Sequence, residues 1–340
     1  MLMKTGTKRV ALVATGLALV VVVLGAYVRL SDAGLGCPDW PGCYGKVGVP
    51  TASHEVEAAN QAYPERPVEA PKAWKEMVHR YFAGALGLLV FALGFLAWRA
   101  RARQPGYPVG VPTFLVALII FQALLGMWTV TLLLKPVVVM SHLLGGLTTL
   151  SLLWWVALRH GAQPRPVRAT PEAVGLRPWA LLGLVILVMQ LALGGWVSAN
   201  YAALHCPDFP TCQGQWWPPM DFADGFTLWR GLGIDYEGGV LPNDARVAIH
   251  VSHRIGALAT FLYLGWLGLR LLRATPNSAL RTVGVVLLLV LFTQVSLGIA
   301  NVVLSLPLLV AVAHNGVGAV LLLCVVALNH ALRPLEQEVA

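Results

Sequence analysis

Apolar and polar positions fall along this chain in long blocks, not in the short alternations of a soluble fold. Runs of roughly 20 apolar residues recur eight times, near 9–29, 76–98, 112–134, 138–159, 178–198, 247–271, 280–304 and 309–331. A run of that length crosses the hydrocarbon core of a bilayer as an α-helix. The pattern predicts an all-α integral membrane protein with eight transmembrane helices and two long polar loops, 30–75 and 199–246. The first run, Val10 to Val28, exceeds the core of a cleaved signal peptide and ends in Tyr27-Val28-Arg29-Leu30, so it reads as a retained helix.

The pattern also repeats. Leu24-Gly25-Ala26-Tyr27-Val28 and the following Cys37-Pro38-Asp39-Trp40-Pro41-Gly42-Cys43 align with Leu193-Gly194-Gly195-Trp196-Val197 and Cys206-Pro207-Asp208-Phe209-Pro210-Thr211-Cys212, at an offset of 169. His79-Arg80 matches His253-Arg254 at 174, and Gln122, Gly126 and His142 match Gln294, Gly298 and His314 at 172. Four spans per half is an even number, so the halves share orientation and are related by an axis along the membrane normal. The expectation is two pseudo-symmetric four-helix bundles, residues 1–165 and 166–340, fused by duplication.

Composition agrees: 57% of residues are hydrophobic and 12% charged, about half the charged share of a soluble domain. A net charge of +8 would suit nucleic acid, but its distribution points to the lipid bilayer. The N-terminus, the 99–111, 159–177 and 270–281 segments and the tail hold 14 of the 24 Lys and Arg and three of the 16 acids, net +11 against −3 elsewhere. The positive-inside rule then puts both termini in the cytoplasm and both long loops outside the cell membrane.

Candidate chemistry sits at the predicted outer ends of the spans. Glu76 and His79, three apart, share a helix face where one apolar run begins, and ionisable residues at membrane depth mark sites. His79 and His142 in the first half, and His253 and His314 in the second, occupy repeat-equivalent positions, the arrangement by which a four-helix bundle ligates haem iron. His250 could replace His253, although the shared His-Arg step favours His253. Di-iron sites need more carboxylates than are present, and the zinc-protease His-Glu-x-x-His is absent. Arg80 and Arg254 adjoin these histidines; they suit haem propionates, or snorkel to headgroups. His54, His160, His205 and His330 receive no role, and Cys324 reads as an inert core residue.

Two features remain open on the residues alone. The cysteine pairs Cys37/Cys43 and Cys206/Cys212 read as structural staples, as redox-active dithiols, or as weakly supported zinc ligands. Glu76 has His250 as its counterpart, so only one of the two candidate pockets carries a carboxylate. Near an iron ligand it could act as acid or base or stabilise charge on a reacting carbon; it could also be a helix N-terminal acid.

Together Glu76-Met77-Val78-His79-Arg80, Ser141-His142, His250-x-x-His253-Arg254, His314-Asn315 and the two cysteine loops resemble the haem A synthase family, over essentially the whole chain, in its bacterial form with a cysteine pair in each half. The resemblance implies that His253 and His314 hold a haem b that moves electrons, and that His79 and His142 receive haem O and release haem A. A ring methyl is oxidised to a formyl through successive hydroxylations, with water as oxygen source. Glu76 is implied as the catalytic carboxylate, with Cys37 and Cys43 forming or exchanging a disulfide near the substrate. Other readings are a di-haem b electron carrier between quinol and a partner, and a haem transporter or chaperone. Partners left open are an enzyme supplying haem O, an electron donor or acceptor, and a second copy of the chain. Trp216 and Trp217 are expected to cover a haem or anchor at the interface.

Overall fold

The computed structural model describes residues 2–159, 175–274 and 278–333, all of them helix, turn or loop. The helices are α1 (Leu2–Leu30), α2 (Ser53–Ala62), α3 (Ala70–Arg103), α4 (Gly110–Thr131), α5 (Pro136–Arg159), α6 (Arg177–Ala199), α7 (Phe222–Gly225), α8 (Asn243–Ala274), α9 (Ser278–Val303) and α10 (Leu308–Ala331). Eight of them, all but α2 and α7, are long and apolar enough to cross a membrane. Their apolar faces leave Leu88, Phe95, Leu289 and Phe292 exposed, which suits lipid, where large side chains face outward without penalty.

Helix ends follow local chemistry. Proline stands in the first turn of α3 and α6, where its missing N–H costs nothing and its φ is already helical. The α4 and α9 helices stop at paired left-handed residues, Leu133-Leu134 (φ 50° and 58°) and Ser305-Leu306 (φ 56° and 61°). Each such residue costs roughly 1–2 kcal/mol. In exchange Leu134 N donates to Thr129 O at 2.8 Å and Leu306 N to Asn301 O at 2.7 Å, satisfying carbonyls at the helix end. The α3 helix begins at Ala70, six residues before the apolar run at 76, because Lys72 to Lys75 continue it beyond the span. Glu76 and His79 therefore lie within a helix and not at its mouth. His160, most of the 159–177 segment and the chain end beyond 333 lie outside the described residues.

The contacts between helices are doubled. In the first half α1 packs on α3 and α5, and α4 on α3 and α5; in the second α6 packs on α8 and α10, and α9 on α8 and α10. Each set is a closed ring of four. The rings meet through α1 with α10, α5 with α6, and α5 with α10, so the core runs on through Leu150 and Leu153 of α5 to Leu322 and Val325 of α10. Small residues let these helices approach: a Cβ on Gly195 of α6 would lie 2.9 Å from Leu143 Cδ2 of α5. Asn329 of α10 donates to the Ala180 carbonyl of α6 at 3.0 Å.

Candidate functional site

The two cysteine loops are built alike. In each, an aspartate inside the motif accepts backbone N–H bonds from the turn that follows: Asp39 from Tyr44 (2.7 Å) and Gly45 (2.6 Å), Asp208 from Gln213 (2.5 Å) and Gly214 (3.0 Å). Tyr44 and Gln213 both hold φ 54°, and Cys43 exchanges backbone bonds with Lys46 as Cys212 does with Gln215. The Thr211 hydroxyl, with those amides, keeps the Asp208 carboxyl below its ordinary range. Both pairs are disulfides, Cys37–Cys43 with Cα atoms 4.9 Å apart and Cys206–Cys212 at 4.6 Å. With both pairs oxidised to disulfides, neither offers a thiolate to zinc.

Each loop is clamped by the arginine after a candidate histidine. Arg80 donates to the carbonyls of Asp39 (3.0 Å), Pro41 (3.3 Å) and Gly42; Arg254 donates to those of Thr211 (2.8 Å), Cys206 and Asp208 (both 2.9 Å). Neither propionate contact nor snorkelling anticipated this use of both guanidinium groups. Arg254 Nε is buried without a partner.

Four imidazoles lie below the loops, each against a glycine of the neighbouring helix. A Cβ on Gly25 of α1 would lie 3.1 Å from His79 Cε1, on Gly126 of α4 3.5 Å from His142, on Gly194 of α6 3.2 Å from His253, and on Gly298 of α9 3.1 Å from His314. His79 and His142 lie within electrostatic range of each other, as do His253 and His314. Each half thus brings together its own two candidate imidazoles, His79 with His142 and His253 with His314. The Nδ1 atoms of His79 and His142 are buried and lack a partner within bonding geometry, the carbonyls of Val21 and Gln122 being the nearest acceptors. In the second half His314 Nδ1 lies 3.2 Å from the Gln294 carbonyl, and Gln190 Nε2 lies 3.0 Å from His253 Nδ1. Gln190 replaces Val21 in the repeat, so only the second half gives that ring a side-chain partner.

The halves diverge at Glu76. Its carboxylate is buried, accepts from Arg80 at 2.5 Å through one oxygen and from the Cys37 amide at 2.9 Å through the other. In the second half His250 occupies this place and its Nδ1 meets the Ala202 carbonyl at 3.1 Å. That bond holds His250 against the loop.

The loops also carry contacts that sequence reasoning missed. From the second half, residues 226–241 reach across the first. Arg66 pairs with Asp235 (2.6 Å) and Glu237 (2.7 Å), and Tyr236 N donates to Leu133 O at 3.1 Å. Lys135, almost fully buried, donates to Gly231 O and lies 3.2 Å from the Trp229 ring centroid. Tyr44 donates to the Arg66 carbonyl at 3.1 Å; burial, then Glu69, Glu76 and Asp39, raise its pKa and keep the phenol neutral. Trp216 and Trp217 are 77% and 67% exposed, so they stand away from both histidine pairs' packing.

The family model of the COX15-CtaA cytochrome oxidase assembly proteins matches residues 8–326. The chain is similar to the haem A synthase of Shewanella oneidensis, 50% identical over 325 residues that cover 95% of both chains. It is 30% identical to that of Sphingopyxis alaskensis, over 93% of this chain and 89% of the relative, and 26% identical to that of Halalkalibacterium halodurans, over 88% of each.

Proposed function

The chain belongs to the COX15-CtaA family of cytochrome oxidase assembly proteins, and on that premise we infer how its two unequal halves divide one reaction. It is a multi-pass membrane oxidoreductase that converts haem O to haem A. In this reading the first half is the reacting chamber and the second an electron relay. The observation that carries the division is Glu76, the single buried carboxylate among the described residues, one helical turn before His79 and replaced by His250 in the other half.

The residues present fit a porphyrin in both halves. Half-buried imidazoles lie within electrostatic range of each other in pairs, and a glycine on the neighbouring helix lets each ring pack against the backbone. An iron-bound imidazole keeps its remaining proton on the far nitrogen and needs an acceptor there. The Gln294 carbonyl supplies one to His314, while the Gln294 side-chain amide, 3.4 Å from Nε2, would have to turn away for iron to bind there. His253 and His314 would hold haem b, which when bound supplies one-electron transfer. Arg254 Nε is the donor left over for a carboxylate such as a propionate.

In the first half His79 and His142 hold the substrate haem. Oxidising a ring methyl to a formyl with oxygen from water removes four electrons and four protons from the methyl and water together. Glu76 has lone pairs beyond those used by Arg80 and Cys37, so it can take a proton from the incoming water or stand as a counter-charge to a carbon that has lost electrons. Arg80 fixes its position from below and the Cys37 amide from above. The Cys37–Cys43 disulfide is thereby one hydrogen bond from the acid.

Bacterial relatives and eight apolar helices support an inner-membrane location. With the charge bias, both termini are cytoplasmic and the two chambers open toward the outer side. The test is the pigment of the purified chain and of Glu76→Ala. Haem A, or hydroxylated haem O, in the native protein and loss of formyl haem in the variant is the expected result. Unchanged formyl-haem output from the variant removes Glu76 from the chemistry.

A further inference from the structure

A cavity of about 390 Å³ lies against the first-half cysteine loop, lined among others by Leu35, Pro38, Ala62, Tyr63, Val130 and Leu133. That volume falls in the roughly 300–1,000 Å³ range of small-molecule pockets. Its walls continue those of the histidine chamber. Val130 stands one turn beyond Gly126 on the same face of α4, and Gly126 is the residue against which His142 packs. Leu35 and Pro38 flank the stretch containing Cys37, whose amide is held by Glu76, one turn before His79.

The lining decides which edge group fits. A propionate needs a cation, and the one cationic side chain in the lining, Arg66, is committed to Asp235 and Glu237. The other walls are aliphatic, proline or aromatic, except Glu65, whose carboxylate would repel a propionate. The second half lacks the same enclosure: Leu35, 7% exposed, corresponds to Leu204, 50% exposed, and Leu133 corresponds to Ser305. Haem O and haem A carry a long isoprenoid tail that haem b does not. We propose that this cavity receives the isoprenoid tail of the porphyrin substrate and so selects tailed haem for the first half. The proposal rests on the reading that His79 and His142 hold that substrate.

The experiment titrates purified full-length protein with haem O and, separately, haem b, following the Soret difference signal that His79→Ala abolishes. Ala62→Trp fills the cavity from an exposed helix end; Leu204→Trp is the second-half control. Displacing about two methylenes of the tail weakens binding roughly tenfold. Ala62→Trp is expected to weaken haem O by that factor or more and haem b by less than about twofold, with Leu204→Trp changing neither. Ala62→Leu, a smaller filling, gives the same ordering at reduced size and guards against misfolding of the Trp variant. Equal loss for both haems, or none for haem O, overturns the tail site while leaving the chamber intact. Absence of any His79-dependent signal with either haem in the native protein overturns the chamber reading, and the tail site with it.

Discussion

The Glu76 carboxylate accepts the Cys37 backbone amide at 2.9 Å, so the buried acid beside His79 and the disulfide loop above it share one anchor. Geometry at the acid therefore depends on the loop, and the loop's seat depends on the acid.

Replacing Glu76 separates these two duties. Glu76→Gln keeps one acceptor oxygen, enough for Cys37 or Arg80 but not both, and cannot take up a proton, so product formation should fall roughly 10²- to 10⁴-fold with a smaller loss of thermal stability than Glu76→Ala. Glu76→Ala leaves the buried Arg80 without its carboxylate, and loss of one partner of such a pair costs about 3–5 kcal/mol. Haem A content and the unfolding temperature in detergent measure the two effects. A Gln variant with native turnover refutes the assignment.

The glycines behind the histidines should be intolerant of bulk. Gly194→Val and Gly298→Val push side-chain atoms into His253 and His314, at an overpacking cost of about 1–3 kcal/mol, and should deplete the low-spin haem spectrum. Gly25→Val should spare that spectrum and lower turnover. Optical and magnetic spectra of the three purified variants decide this; equal depletion in all three argues against separate roles for the chambers.

The loop carrying α2 should loosen in acid. The Lys46 side chain, 2.5 Å away, and then the Thr51 and Ala52 amides lower the Glu55 pKa from 4.5 to about 2. A depressed carboxylate pKa means that the folded form binds the proton less readily than the unfolded one. Its contribution to stability is thus complete above pH 4.5 and is lost as pH falls toward about 2. Proteolysis of the 46–62 segment by an acid-active protease should rise through that window in the native chain and be flat in Glu55→Gln.

Lys135 fastens the second-half loop to the turn after α4. Lys135→Met keeps the length of the side chain and removes the cation that meets Gly231 O and the Trp229 ring. Cleavage within 227–241 should accelerate several-fold while the helices stay protected. An unchanged cleavage rate means that Tyr236 and Arg66 suffice to hold the loop.

Much of this was legible in the sequence. Apolar run length marked all eight spans, and nearly constant offsets of 174 and 172 paired His79 with His253 and His142 with His314. What escaped reading was contact without a local pattern. Arg66 and Asp235 are 169 residues apart and belong to no shared motif, so nothing in either neighbourhood announced their ion pair. The arginines were visible as sites, yet their partners are backbone carbonyls, which every residue has and which composition does not mark. Asp39 and Asp208 stood inside the quoted motif; their tie to the turn after the second cysteine was readable from an aspartate's habit of accepting nearby amides. The early start of α3 was signalled by Pro71 and hidden by the charged residues that follow it.

The seam between the halves has a consequence of its own. The α1–α10 and α5–α6 contacts are one contact made twice, so an unfused ancestor with a single set of four spans would meet its own copy across this surface. Such a pair would have two identical basins and be bound to alter both together. Joining the copies into one polypeptide lifts that bond: a carboxylate can arise on one side and an imidazole on the other, and specialisation becomes heritable.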